Sequence, residues 1–276
     1  MKRLLVMGHG YLGRAVVARF RADGWHVAAA SLGGGDGAVA CDVGDAAAVG
    51  RLVEVAARPD VIIHCAASGH GGADAYQRVY VDGCTHLRRV FPEARLVFVS
   101  STSVYGQTDG STVDENSPAE PQRATGRLLL EAEGIALAGG GTVCRLAGIY
   151  GPGRSVILQK FLTGRAVVEE DGRRFLNQIH RDDAVRALAH VVVGAGELRG
   201  VFNVCDSRPL SQLECYQRLC ELFDRPLPPS APRDLNRKRG WTHKRVSNAK
   251  LLATGWQPEF PCFLDAAASV ASTLTA

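Results

Sequence analysis

The stretch Leu4-Leu5-Val6-Met7-Gly8-His9-Gly10-Tyr11-Leu12-Gly13 sets the fold expected of this 276-residue chain. An apolar run of strand length meets the pattern G-x-G-x-x-G, and the amphipathic stretch over 11–23 then reads as a helix. Each glycine has a separate physical reason. Gly8 permits a tight turn, Gly10 lets backbone approach a pyrophosphate, and Gly13 allows the helix to pack closely on the strand. The helix start adds amide donors and the positive end of a dipole. G-x-G-x-x-G alone is weak, but strand, turn and helix in this order predict that residues 8–13 (Gly8, His9, Gly10, Tyr11, Leu12, Gly13) bind a dinucleotide.

Outward from that turn, strand-like and helix-like segments alternate. Strands are predicted at 3–7, 26–30, 38–41, 60–65, 95–100 and 142–146, with amphipathic stretches near 11–23, 45–56, 74–91 and 122–138. Runs such as Val61-Ile62-Ile63 and Leu96-Val97-Phe98-Val99 are apolar throughout, as strands covered by helices on both faces require. The expected fold is α/β, a Rossmann-type doubly wound parallel sheet with a smaller C-terminal substrate lobe. After Ile149 the texture turns Pro- and Arg-rich, with helices expected near 155–163, 183–194, 211–223 and 263–273. Residues 1–150 with 177–205 are assigned to the dinucleotide-binding domain, and 151–176 with 206–276 to the substrate lobe.

An NAD-binding unit presents Asp or Glu at the end of its second strand to hold the ribose 2′-hydroxyl. This chain reads Ala28-Ala29-Ala30-Ser31-Leu32 there. No carboxylate repels a 2′-phosphate, and Ser31 with the glycine-rich loop after it offers donors, so NADP is favoured over NAD, although no arginine stands at the expected spot. Hydrophobic residues at 46% and charged residues at 22% fit an ordinary globular protein, and a net charge of +4 does not demand nucleic acid. No apolar run approaches the roughly 20 residues that span a bilayer, and the N-terminus shows no cleavable signal pattern, which predicts a cytoplasmic protein with no membrane partner. The eight cysteines are scattered without metal-knuckle spacing, so they read as free thiols with no metal site.

Several further motifs follow in order: Cys41-Asp42-Val43-Gly44-Asp45, His64-Cys65-Ala66-Ala67, Val99-Ser100-Ser101-Thr102-Ser103-Val104-Tyr105-Gly106, Arg145-Leu146-Ala147-Gly148-Ile149-Tyr150-Gly151-Pro152-Gly153-Arg154 and Ile179-His180-Arg181-Asp182-Asp183. With them the chain resembles the extended short-chain dehydrogenase/reductase superfamily, in its NAD-dependent epimerase/dehydratase branch. The resemblance implies that Asp42 and Val43 meet adenine. It also implies that Cys65, Ala66, Ala67, Ser100, Ala147 and Ile149 lie along the cofactor, and that Ser101 holds the substrate oxygen. It places the family's Tyr-x-x-x-Lys on Thr125 and Leu129, neither of which can lower a phenol's pKa or move its proton. Tyr80-Val81-Asp82-Gly83-Cys84-Thr85 likewise alters the family's asparagine context. These departures resemble an atypical subgroup whose C-terminal signature is matched by His243-Lys244-Arg245-Val246-Ser247-Asn248-Ala249-Lys250-Leu251.

Tyr105 and His180 are the remaining candidates for proton transfer; each has a competing structural reading, as a packed aromatic and as a tie between strand end and helix cap. His70, in a glycine-rich loop, is a weaker candidate. The basic run Arg233 to Arg245 reads as a solvated face, a clamp for an anionic substrate, or a nucleic-acid surface; the clamp is favoured, with Arg154, Lys244 and Arg245 as substrate contacts. The expected function is an NADP-dependent oxidoreductase or epimerase/dehydratase-like enzyme for a small polar, anionic, sugar-nucleotide-like molecule. The alternative is a catalytically silent NADP-binding sensor or scaffold. A homodimer through the helices near 74–91 and 122–138 is expected from the surplus of Leu128, Leu129, Leu130 and Ile135.

Overall fold

A computed structural model describes residues 2–69, 71–194, 198–234 and 240–274. The chain divides into two units: Met1–Val104, Pro121–Arg145 and Val185–Phe202 form the first, and Tyr105–Glu120, Leu146–Ala184 and Asn203–Ala276 the second.

The first unit carries a seven-stranded sheet built from β1 (Arg3–Met7), β2 (His26–Ser31), β3 (Val39–Ala40), β4 (Val61–His64), β5 (Arg95–Ser101), β6 (Thr142–Leu146) and β7 (Gly200–Val204). Their order is β7-β6-β5-β4-β1-β2-β3. β1 pairs in parallel with β2 on one side and β4 on the other, and β2–β3 and β4–β5 are also parallel. Leu4, Leu5, Val6 and Met7 are at most 1% exposed, as a central strand between two helical layers must be. The helix after β1, α1 (Tyr11–Ala22), buries Leu12, Gly13, Val16, Val17 and Phe20 along one stripe.

The stretch predicted as one helix over 45–56 is two, α2 (Ala46–Arg51) and α3 (Val53–Ala56), with the Asp45 carboxylate accepting the Ala47 amide as N-cap. The stretch over 74–91 is α4 (Ala73–Tyr76), a π turn (Gln77–Asp82) and α5 (Gly83–Val90). The buried imidazole of His64 meets the Val79 carbonyl at 2.8 Å inside that turn. A side chain entering the ladder in this way is a known cause of widened turns. The helix α6 (Ala124–Ala138) packs on β5 and on α5.

The second unit has its own core, in which Tyr150, Leu158, Phe161, Leu210, Tyr216, Leu219 and Phe263 are buried together. Its helices α7 (Val156–Leu162) and α9 (Gln212–Phe223) are capped by Ser155 and Ser211, and α10 (Ala249–Leu252) and α11 (Ala267–Ala271) follow; α8 (Arg181–Val193), between α7 and α9 in sequence, starts in this unit and from Val185 belongs to the first. Short strand pairs join 148–150 with 178–180 and 112–113 with 245–246 in parallel, and 175–176 with 210–211 antiparallel. The segment 177–205, assigned from sequence to the nucleotide-binding domain, is therefore divided. Its strand Gln178–His180 pairs with Gly148–Tyr150 rather than with the seven-stranded sheet, and residues 177–184 and 203–205 group with the second unit.

All eight cysteines are free thiols. Among the described residues no group of His, Cys, Asp and Glu is gathered to hold a metal, and no helix is long and apolar enough to cross a membrane.

Candidate functional site

The strand order reverses at β1: the chain runs to β2 and β3 on one side and to β4 and β5 on the other. In open α/β sheets the loops at the carboxyl ends of the strands flanking such a switch form the ligand crevice. Here those loops begin at Gly8 and Cys65. Gly8 has φ +109°, and a Cβ on it would lie 2.3 Å from the Ala66 nitrogen; one on Gly13 would lie 1.7 Å from the Gly8 carbonyl oxygen. Only glycine lets these two loops and α1 close on one another. The Cys65 thiol donates to the Gly8 carbonyl at 3.2 Å, and burial pushes its pKa up to about 12, so it stays protonated and structural. Gly10 is the opposite case. It is exposed, and no other part of the protein comes within 4 Å of where its Cβ would be.

Gly10 is also the N-cap of α1, which has no side-chain cap and no acidic residue in its first turn. A glycine N-cap brings no side chain over the first turn, the arrangement that takes an anion at a helix start. The cradle thus fits a pyrophosphate on the residues present: closed beneath Gly8 and Gly13, open over Gly10, lined by donors.

At the end of β2, Ser31 is half-buried and its carbonyl accepts the Gly34 and Cys41 amides at 3.1 and 2.8 Å. The Asp42 carboxylate accepts the Gly44 amide at 2.9 Å and pairs with Arg78, while Val43 is buried and its carbonyl meets the His86 ring. Two residues not assigned from sequence stand beside this edge. The Arg14 guanidinium lies 2.6 Å from the Asp36 carboxylate in the loop after β2, and its Nε donates to the His9 carbonyl at 3.2 Å. No arginine stands at the end of β2 itself; this one arrives from α1. Its only signal in sequence is that it directly follows Gly13. Burial, then the Arg14 charge, holds His9 below the usual imidazole range.

At the end of β5, Ser100 donates to Glu133 at 2.5 Å, and Arg145 grips the same carboxylate with Nη2 at 2.6 Å and Nε at 3.1 Å; Ser100, Glu133 and Arg145 are all buried. Ser101, 8% exposed, accepts the Ser103 amide at 3.2 Å. Thr125, Leu129 and Glu133 follow one another at four-residue spacing and share a face of α6, with Leu129 buried. Between Ala124 and Ala138 there is neither tyrosine nor lysine.

In the second unit the structure corrects three expectations. Tyr105 is fully buried and its phenol donates to Asn203 Oδ1 at 2.9 Å, so it braces a polar network rather than presenting a proton. His180 is 4% exposed, edge-on to Tyr150 and beside Phe260, and its Nδ1 accepts the Asp182 amide at 3.3 Å. It ties its strand end to α8, and burial lowers its pKa. Lys244 turns inward: its ammonium donates to the Tyr105 carbonyl at 2.7 Å and to Thr242 at 3.0 Å, so it is no surface clamp, and burial lowers its pKa to about 8. Those three expectations rest on residue type, which carries no information about burial. Arg245 is exposed, 5.1 Å over the Phe175 ring, and Arg154 is exposed beside the turn it closes with Gly151. Ala147 is buried and Ile149 half-buried in the strand 148–150. In the basic run, Arg233 grips Glu170 and covers Trp241, while 235–239 lie outside the described residues, as does His70.

A chain with this switch-point cradle can be compared with known proteins. It is 28% identical over 81% of its length to protein YeeZ of Escherichia coli K12, covering 84% of that protein. It is 29% identical over 92% of its length to the 2′-dehydrokanamycin reductase of Streptomyces kanamyceticus, covering 74% of it. The structure of the UDP-glucose 4-epimerase of Thermus thermophilus in complex with NAD shares the fold at a TM-score of 0.78 and 20% identity, with 98% of each chain covered. Residues 4–205 match the model of the NAD dependent epimerase/dehydratase family, which spans the sheet and cradle described above, and the chain belongs to that family.

Proposed function

We propose that the protein is an NADP-preferring oxidoreductase or epimerase/dehydratase-like enzyme acting on a small polar, anionic, sugar-nucleotide-like substrate. The observation that carries this reading is the cradle: Gly8 and Gly13 sealed against Ala66 and Cys65, and Gly10 left clear beside the first amides of α1. Those amides would hold the pyrophosphate, and Asp42 and Val43 would meet adenine. Ser31, in place of an acidic residue at the end of β2, supports the 2′-phosphate. The family pattern adds Ala66, Ala67, Ser100, Ala147 and Ile149 along the cofactor. When bound, the nicotinamide supplies the hydride donor or acceptor.

Ser101 would hold the reacting substrate oxygen. No phenol–ammonium pair follows on α6, where Thr125 and Leu129 take the family positions of tyrosine and lysine, so proton transfer is weaker than in members that keep the pair. General acid–base groups contribute about 10²–10⁴-fold, leaving binding and orientation as the main sources of rate. Arg154 and Arg245, both exposed cations, are the proposed contacts for an anionic substrate. The relatives bear on the chemistry as a reductase by name and, at the level of fold, an epimerase seen with NAD. Half-buried Leu128, Leu130 and Ile135 on α6 support pairing of two copies through that helix.

The test is NADPH oxidation, followed by absorbance, across a panel of keto-sugars and their nucleotide conjugates. Turnover dependent on Ser101 supports the enzyme. Tight NADP(H) binding with no turnover on any member supports the second reading, a nucleotide-dependent sensor, which the buried leucine at position 129 favours.

A further inference from the structure

Two carboxylates in the core of the second unit are equally hidden and differently served. Asp183 is 0% exposed, and its two oxygens accept the Glu259 and Phe260 amides at 2.7 and 2.9 Å. Asp206 is 1% exposed, and among the described residues neither of its oxygens has a hydrogen-bond partner. Its backbone is nevertheless fixed on two sides. The Asp206 amide donates to the Gln178 carbonyl at 2.8 Å, and the Ser207 and Arg208 amides donate to the Pro261 carbonyl at 2.9 and 3.0 Å. Carrying the carboxyl out to water would break these bonds. Beside it the Tyr150 phenol, also 1% exposed, has no partner among the described residues either, and its ring is edge-on to Phe263 at 4.8 Å and to His180 at 5.2 Å.

An ionised carboxylate without donors at this depth costs far more than a neutral acid, so such a group keeps its proton. The surroundings offer it little countercharge. Asp183, on α8, and Asp265, which accepts the Cys262 amide at 2.8 Å, are negative neighbours, while Arg208 lies on the exposed side of the loop. Burial keeps the thiols of Cys205 and Cys215 and the Tyr150 phenol protonated, and keeps His180 neutral. Burial also raises the Asp206 pKa well above the usual carboxylate range; the nearby Phe263 amide and Arg208 oppose the rise, and Asp265 and Asp183 add to it.

We infer that Asp206 is a neutral carboxylic acid in the folded protein at neutral pH, and that its proton is a latch that lets the loop 204–208 close against strand 178–180 and the segment 261–266. The folded state holds this proton above the ordinary value of 3.8, where the unfolded chain has lost it. The stabilisation is therefore fully present below that value and declines as pH rises toward the folded pKa. Tyr150 leads directly into the turn from Gly151 to Arg154, so loosening of the latch reaches the segment that presents this exposed arginine. None of this depends on the dinucleotide reading.

The full-length protein and its variant D206N are melted between about pH 4.5 and about pH 8, with circular dichroism as the readout. Asparagine has the shape of the neutral acid and no proton to lose. D206N should therefore gain on the wild type as pH rises, by about 3–5 °C per pH unit while one proton separates the folded and unfolded states. Wild type carrying aspartate labelled with carbon-13 at the side-chain carboxyl should also show, at neutral pH, the infrared carbonyl stretch of a protonated acid, which D206N lacks. A difference in melting temperature that stays constant over the range overturns the inference, because no proton is then held. A difference that turns against D206N as pH rises overturns it too, because the carboxylate is then ionised and paired. Should D206N fail to fold, the labelled wild type decides: the protonated band supports the latch, and its absence overturns it.

Discussion

Replacing Glu133 with glutamine should be among the most damaging single changes in the first unit. Glu133 is 3% exposed and its carboxylate takes three donors: Ser100 Oγ at 2.5 Å, Arg145 Nη2 at 2.6 Å and Arg145 Nε at 3.1 Å. Glutamine keeps the shape but loses the charge and turns one acceptor into a donor, which leaves the 6% exposed Arg145 cation without its anion. Breaking a buried pair from one side costs about 3–5 kcal/mol. Against a total stability of about 5–15 kcal/mol that is a large fraction. At about 2–4 °C per kcal/mol for a domain of this size, the melting temperature should fall by about 6–20 °C. Urea denaturation followed by circular dichroism gives the free energy, with an unchanged m-value expected. The double variant E133Q/R145M should recover part of the loss, because removing both charges is far cheaper than removing one. A loss below about 1 kcal/mol for E133Q would refute the claim that this network clamps α6 to the ends of β5 and β6.

Four residues give further expectations. Gly10→Val should abolish nucleotide binding in a titration while leaving the melting temperature within a few degrees, because the added side chain meets only open space in the protein alone. Ser101→Ala should lower kcat on the order of 10²-fold, the usual effect of losing one transition-state hydrogen bond, whereas Thr125→Ala should be nearly silent; equal damage from both would show that the active-site assignment is wrong. Lys244 binds its proton more weakly folded (pKa about 8) than unfolded (10.5), so the unfolded state carries more protons between these values. Stability should therefore rise as pH climbs from about 8 to about 10.5, and Lys244→Met should flatten that rise in pH-dependent melting.

The cradle was legible because its residues answer to backbone geometry. A Cβ at Gly8 or Gly13 collides with backbone a few ångströms away, so the glycines report the turn directly. The central strands were legible because two covered faces demand unbroken apolar runs, as in Val61–His64. Side chains whose role depends on distant partners were not. Tyr105 meets Asn203 and Lys244 across 98 and 139 positions, and no local pattern distinguishes such a braced phenol from a catalytic one. Arg14 and Asp36 are 22 residues apart and meet only because β1 and β2 are neighbours with α1 between them. The π turn needed the knowledge that His64, at the end of β4, reaches the Val79 carbonyl. The division of 177–205 turned on Gln178 pairing with Gly148, a parallel contact between short strands that alternation of apolar residues does not encode.

Residues 8–13 are proposed to hold a dinucleotide pyrophosphate at the start of α1. The most direct test is calorimetric titration of the full-length protein with NADP(H) and NAD(H). Saturable one-site binding of NADP(H) at micromolar concentration is expected, with weaker binding of NAD(H) and loss of both in Gly10→Val. No heat of binding from either nucleotide, with the protein folded by circular dichroism, would contradict it.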